Sequence, residues 1–219
     1  MLTLYGVARS RATRPLWLLY EIGMDFTHVP VIQSYRLPDP AATDAPINTA
    51  SPAFLAVNPR GQVPAMEDDG LVLTESLAIC LHIARRHGGD LGPKDWREEA
   101  LAANWALFAA TAVESTATGI LYTFMDGQQD TPEGKAKIAA AVDGLQRPIG
   151  RIEAHLATRD WLMGERFTVA DLMLAECLRY GALHAPLLAP FPATAAWLAR
   201  CQARPGYQKM WAARLAEPA

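Results

Sequence analysis

The sequence has few cysteines, few histidines and no marked excess of charge. Its three cysteines, Cys80, Cys177 and Cys201, are too widely spaced for a disulfide framework or a C-x-x-C redox pair, so we expect them to be reduced and buried. The five histidines follow no spacing known from metal sites, and we therefore expect no metal. A formal net charge of -3, with no basic stretch longer than Arg85-Arg86, argues against binding of nucleic acid.

Long apolar runs are also missing. No stretch approaches the roughly 18 consecutive apolar residues that a membrane-spanning helix needs, and the first residues, MLTLYGVARSRATR, lack the pattern of a secretion signal. We therefore expect a cytoplasmic protein with no membrane partner. The apolar content itself is ample, because 51% of the 219 residues are hydrophobic, which is enough for one large domain or two small ones.

The first part of the chain alternates short apolar runs with helical patterns. Strands are predicted at 2–5, 26–32, 62–66 and 71–73, and helices at 11–22 and 75–87. The last two strands form a hairpin, because Asp69-Gly70 between them suits a tight turn with positive φ. The order predicts a β-α-β crossover followed by β-β-α in a single mixed sheet. Between them, residues 33–51 are predicted to be a long loop with one short helical turn.

The second part of the chain shows only helical periodicity. Residues 88–93, GGDLGP, break the helix, and we predict three segments: a first domain at 1–87, a linker at 88–96 and an all-helical domain at 97–219. Helices are predicted at 98–124, 131–159, 168–183 and 193–204, with a short one after Pro205. Pro148 falls inside the second of these, so that helix should kink or be two pieces.

The strongest local signal is the run NPRGQVPAMEDDGLVLTESLAICLHIARR at 58–86. Pro64 follows a valine at the start of a strand, which is a plausible place for a cis bond that would expose the Val63 N–H and C=O to a peptide ligand. Glu75 and Ser76 begin a helix, where a carboxylate pairs with an amine and free N–H groups bind an anion, as an amino-acid ligand requires. The alternative is that Thr74 or Ser76 only caps the helix.

A second motif, Phe167 to Asp171, predicts a capping box between Thr168 and Asp171, and its role is folding. With the 58–86 run and Arg204-Pro205-Gly206-Tyr207, it resembles the cytosolic glutathione transferase superfamily over nearly the whole chain. The resemblance implies an α/β thioredoxin-like N-terminal domain that binds glutathione, an all-α C-terminal helical bundle, and a homodimer.

Site roles follow from the same resemblance. It implies that Val63, before a cis Pro64, pairs with the cysteinyl backbone of glutathione, and that Glu75 and Ser76 hold its γ-glutamyl end. Gln62 stands where the family often has a side-chain contact to the backbone of glutathione, which an amide can make.

The residue that activates the thiol is less clearly marked. The family places a Tyr, Ser or Cys after the first strand, and Ser10 stands at the position of the Ser-type classes when counted from that strand. Counting back from Gly23 puts Arg9 there instead. Ser10 is the candidate catalytic residue, with a simple helix cap as its alternative, and Tyr5 is either the Tyr-type residue or a packed strand residue. No cysteine lies in this loop, which argues against the Cys-type classes.

The predicted activity is conjugation of the glutathione thiolate to a small hydrophobic electrophile, as in detoxification. Two alternatives remain: glutathione-dependent reduction of a disulfide or peroxide, and a non-catalytic interaction module of the same fold. The segment at 33–51 is long for the family, and we predict that it forms a lid or part of the substrate wall.

Overall fold

The structure is a computed structural model that describes residues 1–217. Its strands are β1 (Thr3–Tyr5), β2 (Thr27–Val29), β3 (Ala65–Asp68) and β4 (Leu71–Leu73). Its α-helices are α1 (Thr13–Ile22), α2 (Pro52–Leu55), α3 (Ser76–His87), α4 (Trp96–Phe108), α5 (Ser115–Met125), α6 (Pro132–Leu156), α7 (Val169–Leu178), α8 (Pro192–Gln202) and α9 (Pro205–Ala216). The chain folds as two compact units: a first unit of residues 1–89 with the segment from Arg204 onward, and a second unit of residues 90–203.

The first unit is built on a four-stranded mixed sheet. The strand order is β2-β1-β3-β4, in which β1 and β2 are parallel and the other neighbours are antiparallel. Asp69 and Gly70 have φ values of 49° and 82°, so they form the tight turn between β3 and β4. The predicted β-α-β and β-β-α order is confirmed, and with it the thioredoxin-like α/β fold followed by an all-α domain.

The second unit contains only helices among its regular elements. A π-helical segment, Ala109–Glu114, joins α4 to α5 without a break in the chain's helical course. Helix α6 runs as one element of 25 residues through Pro148, so the expectation of two pieces is wrong. Leu145, Ile149 and Ile152 on this helix are fully buried, and their packing on both sides of the proline offsets the backbone hydrogen bond that proline cannot donate.

Helix α9 packs against α1 in the first unit. The rings of Trp17 and Tyr207 meet edge to face with centroids 5.0 Å apart, and Arg204 Nε donates to Glu21 Oε1 at 2.7 Å. A side chain at Gly206 would place its Cβ 2.8 Å from the backbone of Glu21, so only glycine allows this approach. These contacts explain the Arg-Pro-Gly-Tyr motif, and they assign to the first unit a helix that the sequence interpretation placed in a domain at 97–219.

A buried carboxylate ties the β3–β4 hairpin to helix α3. Asp68 Oδ2 accepts hydrogen bonds from His82 Nε2 at 2.9 Å and His87 Nε2 at 3.0 Å. Burial alone raises the pKa of Asp68, but these two hydrogen bonds and the nearby charge of Arg86 outweigh it and hold the pKa below its usual value. The hairpin therefore fixes the far end of the helix whose first residues include Ser76.

Asp171 is the polar centre of the second unit. Its Oδ2 accepts from Thr168 N at 3.0 Å, within the predicted capping box, which is confirmed. Its Oδ1 accepts from Leu162 N at 2.8 Å and from Trp197 Nε1 at 2.9 Å. Burial raises the pKa of Asp171 although all of these bonds oppose the shift. One carboxylate thus connects α7, α8 and the turn before α7.

Replacing Asp171 with alanine tests this role. The change leaves the N–H groups of Leu162 and Trp197 buried without their acceptor, and each such group costs about 1–3 kcal/mol. We expect Asp171→Ala to lower the free energy of unfolding by about 3 kcal/mol or more, measured by urea denaturation. Asp143→Ala, on the exposed face of α6, is the matched control and should change it by no more than about 0.5 kcal/mol.

An ion pair in the second unit joins the start of α4 to the turn before α7. Arg166 Nη1 donates to Glu98 Oε1 at 2.9 Å, and both side chains are three-quarters buried, with 24% and 22% of their surface exposed. The hydrogen bonds and charge of Arg166 lower the pKa of Glu98 from 4.5 to about 2. Because the folded pKa lies below the ordinary value, the ionised carboxylate stabilises the fold at neutral pH.

This contribution should disappear in acid. Glu98→Gln should lower the free energy of unfolding clearly at pH 6 and progressively less as the pH falls from 4.5 towards 2, where the wild-type carboxylate becomes protonated. The measurement is urea denaturation of both proteins at several pH values. Glu133→Gln, an exposed glutamate on α6, should show no such convergence, and equal pH dependence of both variants would contradict the role of the pair.

Candidate functional site

Asn58 organises the loop that leads into β3. This buried side chain accepts from Arg60 N at 3.1 Å and donates to Gln62 O at 2.6 Å. The backbone carbonyl of Asn58 accepts from Gly61 N at 2.9 Å. Gly61 has a φ of 59°, and a Cβ at this position would lie 2.8 Å from Thr49 O. The hydrogen bonds of Asn58 and the positive φ of Gly61 together fix the backbone conformation of this loop.

The Val63–Pro64 peptide bond that follows is cis. The partly buried Val63 side chain packs on a small core of Val31, Phe54 and Ala65. No residue of the described chain bonds the Val63 N–H or C=O. These two groups are thus open for strand-like pairing, whereas the Gln62 side chain before them is exposed.

Glu75 occupies the N-cap position of α3, but its side chain does not cap the helix. Instead its Oε1 accepts from Arg60 Nη1 at 3.0 Å, and the two side chains are 69% and 65% exposed. The alternative that Thr74 or Ser76 caps this helix finds no support, because the N-cap residue is Glu75. The carboxylate faces the loop organised by Asn58.

Ser76 is the first residue of α3 and is only 6% exposed. Its Oγ accepts a hydrogen bond from Arg14 Nη1 at 2.8 Å, and Arg14 is 1% exposed. Because the oxygen accepts, the hydroxyl proton of Ser76 is left to donate to a ligand. The guanidinium also adds a buried positive charge next to the helix N-terminus, where an anion is favoured.

Ser10 lies in the loop between β1 and α1. Its Oγ donates to Val7 O at 2.7 Å and accepts from Ala12 N at 3.0 Å. The N-cap residue of α1 is Ala12, so Ser10 is not the cap of this helix. Tyr5 is a partly buried strand residue that packs against the ring of Phe54 with centroids 6.3 Å apart.

The sequence interpretation missed a contact from the far end of the chain. The Glu217 carboxylate accepts from Ala8 N at 2.6 Å and from Arg9 N at 2.7 Å. Arg9 Nε donates back to Glu217 O at 3.0 Å, and Arg214 Nη1 donates to Ala8 O at 2.7 Å. The sequence could not predict this contact, because a glutamate near the end of a helical segment belongs to no recognisable motif. It makes Arg9 a partner of Glu217, a role that the sequence interpretation did not include.

Two contacts join the predicted site residues to one another. Arg60 connects Glu75 to the loop that carries Gln62 and Val63, and Arg14 connects Ser76 to the helix that follows the Ser10 loop. The three cysteines are buried, as the sequence predicted. Within residues 1–217 no helix is long and apolar enough to cross a membrane, and no cluster of residues suits a metal ion.

Comparison with known proteins identifies the family. Residues 1–85 match the glutathione S-transferase N-terminal domain and residues 113–205 match the C-terminal domain. The probable glutathione S-transferase GSTF2 of rice, Oryza sativa subsp. japonica, is 30% identical in an alignment of 216 residues, with a coverage of 94% for each chain. The chain therefore belongs to the glutathione S-transferase family, and the prediction of an enzyme of this class is confirmed.

Solved structures agree with this assignment. Glutathione transferase F7 from Populus trichocarpa matches with a TM-score of 0.81 and 28% identity, covering 98% of this chain and 99% of that one. The theta class enzyme from the citrus canker pathogen Xanthomonas axonopodis pv. citri, solved with glutathione bound, matches with a TM-score of 0.72 and 28% identity over 95% of each chain. Both similarities extend over both units.

The Glu217 contact makes a prediction for the β1–α1 loop. Its carboxylate holds two backbone N–H groups with charge-assisted bonds, so Glu217→Ala should open them to solvent. We expect the amide protons of Ala8 and Arg9 to exchange faster, about tenfold or more for a lost bond of about 1.5 kcal/mol. Hydrogen exchange followed by NMR measures this. Glu217→Gln, which keeps an acceptor oxygen, should lie between, and unchanged exchange in the alanine variant would show that the contact does not hold the loop.

Proposed function

We propose that this protein conjugates the thiolate of glutathione to a small hydrophobic electrophile. Glutathione is its co-substrate. The observation that carries the proposal is that no residue of the described chain bonds the Val63 N–H or C=O, in the same loop as Arg60, which contacts Glu75 at the start of α3. A peptide with a free amino-acid head needs both features, a strand edge for its backbone and a charged pair of groups for its head.

The binding roles follow from this arrangement. Val63 N–H and C=O pair with the cysteinyl backbone of glutathione, and the exposed Gln62 amide adds a side-chain hydrogen bond. Glu75 pairs with the α-amine of the γ-glutamyl end. Ser76 donates to its α-carboxylate, a role supported by the Arg14 bond to Ser76 Oγ, which leaves the hydroxyl proton unused.

Ser10 is the proposed thiol-activating residue. A free thiol has a pKa of about 8.5, and an enzyme at pH 7 gains from stabilising the thiolate. The Ser10 proton points to Val7 O, but a hydroxyl turns its proton without moving its oxygen. With Tyr5 packed against Phe54, Ser10 is the stronger of the two candidates.

Conjugation is preferred over thiol-disulfide chemistry by a protein cysteine. All three cysteines, Cys80, Cys177 and Cys201, are fully buried. A reduction that uses the sulfur of glutathione remains the second candidate, and a reductase-coupled disulfide assay separates it from conjugation.

We also propose a homodimer in the cytoplasm. In the second unit, exposed apolar side chains on α4 and α5 offer a surface for a second copy: Leu101, Leu107, Tyr122 and Met125. Residues 33–51, with Tyr35 83% exposed, remain our candidate for a lid or substrate wall.

Calorimetric titration with glutathione tests the ligand site. The wild type should bind in the micromolar-to-millimolar range, and Glu75→Ala combined with Ser76→Ala should lose the binding, because the α-amine loses the Glu75 carboxylate and the α-carboxylate loses the Ser76 hydroxyl. Thermal melting of the double variant checks that it is folded. A wild type that binds no glutathione would favour the interaction module instead.

The role of Ser10 is tested by kinetics. Ser10→Ala should lower kcat for conjugation of a chromogenic aromatic electrophile about 10- to 100-fold, as expected for one charge-assisted hydrogen bond of about 1.5–3 kcal/mol, with little change in the KM for glutathione. The pKa seen in the pH dependence of kcat/KM should rise. Thr158→Ala, which removes an exposed hydroxyl at the end of α6, should leave both parameters unchanged. An unaltered pH profile in Ser10→Ala would exclude Ser10 as the activating group.

A further inference from the structure

The contacts of the Arg60–Glu75 ion pair show no role for it in stabilising the fold. It joins two side chains that are about two-thirds exposed, at 65% and 69%. Neither side chain caps a helix or packs in a core. We propose that Arg60 determines specificity for the head of the ligand: its guanidinium binds the α-carboxylate of the γ-glutamyl group while Glu75 binds the α-amine. This inference rests on the proposed function.

The chemistry of the pair matches that of its ligand. An α-amino acid carries a carboxylate and an ammonium on the same carbon, so its two charges lie side by side. Arg60 and Glu75 place opposite charges side by side as well, with 3.0 Å between Nη1 and Oε1. The two pairs can meet head to head, so that each charge has an opposite neighbour without separation of the protein's own pair.

Exposure makes this recruitment possible at small cost. An exposed ion pair stabilises the free protein by little, because water screens it. The Arg60 side chain is exposed, and Glu75 Oε1 is its side-chain partner in the described part of the chain. Its planar fork has further N–H donors that remain for a carboxylate, and arginine matches a carboxylate through two parallel bonds.

The backbone of Arg60 is placed before the ligand arrives. Asn58 accepts from Arg60 N, and the positive φ of Gly61 directs the chain on towards Val63. One loop therefore positions both Arg60, which would bind the γ-glutamyl head of the ligand, and Val63, which would pair with its peptide backbone. Such preorganisation reduces the ordering cost of binding.

Ser76 alone is a weaker receptor for the carboxylate. Its hydroxyl is largely covered, since the residue is 6% exposed, and its oxygen is already engaged by Arg14. It has a single proton to donate. A guanidinium at the surface adds the charge that this hydroxyl lacks, and the two groups would approach the carboxylate from different elements, the loop and the helix.

The test is a cycle of ligand and protein changes by calorimetry. The probes are glutathione and γ-aminobutyryl-cysteinylglycine, which is glutathione without its α-carboxylate. Arg60→Ala should weaken glutathione binding about tenfold, equivalent to about 1.4 kcal/mol, and should weaken binding of the decarboxylated probe less than about twofold on the same reasoning. Arg60→Lys should fall between, because lysine keeps the charge without the fork.

Controls separate this role from loss of structure or of general charge. Arg147→Ala removes an exposed arginine of α6 and should bind both probes as the wild type does. The melting temperature of Arg60→Ala should equal that of the wild type.

Three outcomes would overturn the inference. Unchanged or tighter glutathione binding by Arg60→Ala would mean that Arg60 only competes for Glu75. An equal loss with both probes would mean that it acts through the loop. Failure of the wild type to bind glutathione would overturn the proposed function itself, and this is seen before any variant is made.

Discussion

The beginnings of α1 and α3 are joined by a buried hydrogen bond from Arg14 to Ser76, and the candidate site depends on it. A guanidinium that is 1% exposed requires acceptors, since an unpaired buried charge costs several kcal/mol. Ser76 Oγ supplies one at 2.8 Å. The bond fixes the first residue of α3 relative to the helix that follows the Ser10 loop, so that two residues 62 apart in sequence hold both helices in one frame.

Other contacts hold the remaining parts of α1 and α3 in place. The far end of α3 is held by Asp68 through its two histidines, and α1 is covered by α9 through Trp17 and Tyr207. Helices held at both ends leave the candidate ligand-binding groups on short stretches of chain between fixed points. This division agrees with a general rule for binding sites, in which a stable scaffold supports loops that carry the chemistry.

The sequence predicted the elements whose determinants are local. Gly23 ends α1, Asp69-Gly70 turns the hairpin, and Thr168 with Asp171 begins α7, because each depends on backbone geometry within a few residues. Helix α6 continues through Pro148 because the tertiary packing of Leu145, Ile149 and Ile152 overrides the local preference against proline. The assignment of α9 to the first unit was missed for the same reason.

The candidate site divides in the same way. Val63, Pro64, Glu75 and Ser76 belong to one short run, and their motif could be read directly. The partners that prepare them could not, because Arg14 and Glu217 come from distant parts of the chain and carry no signature of their own. For Arg60 the position was visible within the motif, but its contact with Glu75 required coordinates.

The return of α9 to the first unit has a consequence for the order of events during synthesis. Ala8 and Glu217 are 209 residues apart in sequence, although they are hydrogen-bonded in the folded chain. A ribosome releases the chain from its N-terminus, and domains ordinarily fold in that order. Here the sheet and α1 emerge first, yet the face of α1 that Tyr207 covers stays open to water until the last helix has been made. The unit translated first is therefore the one completed last, and its native packing can be reached only after translation of the second unit has ended.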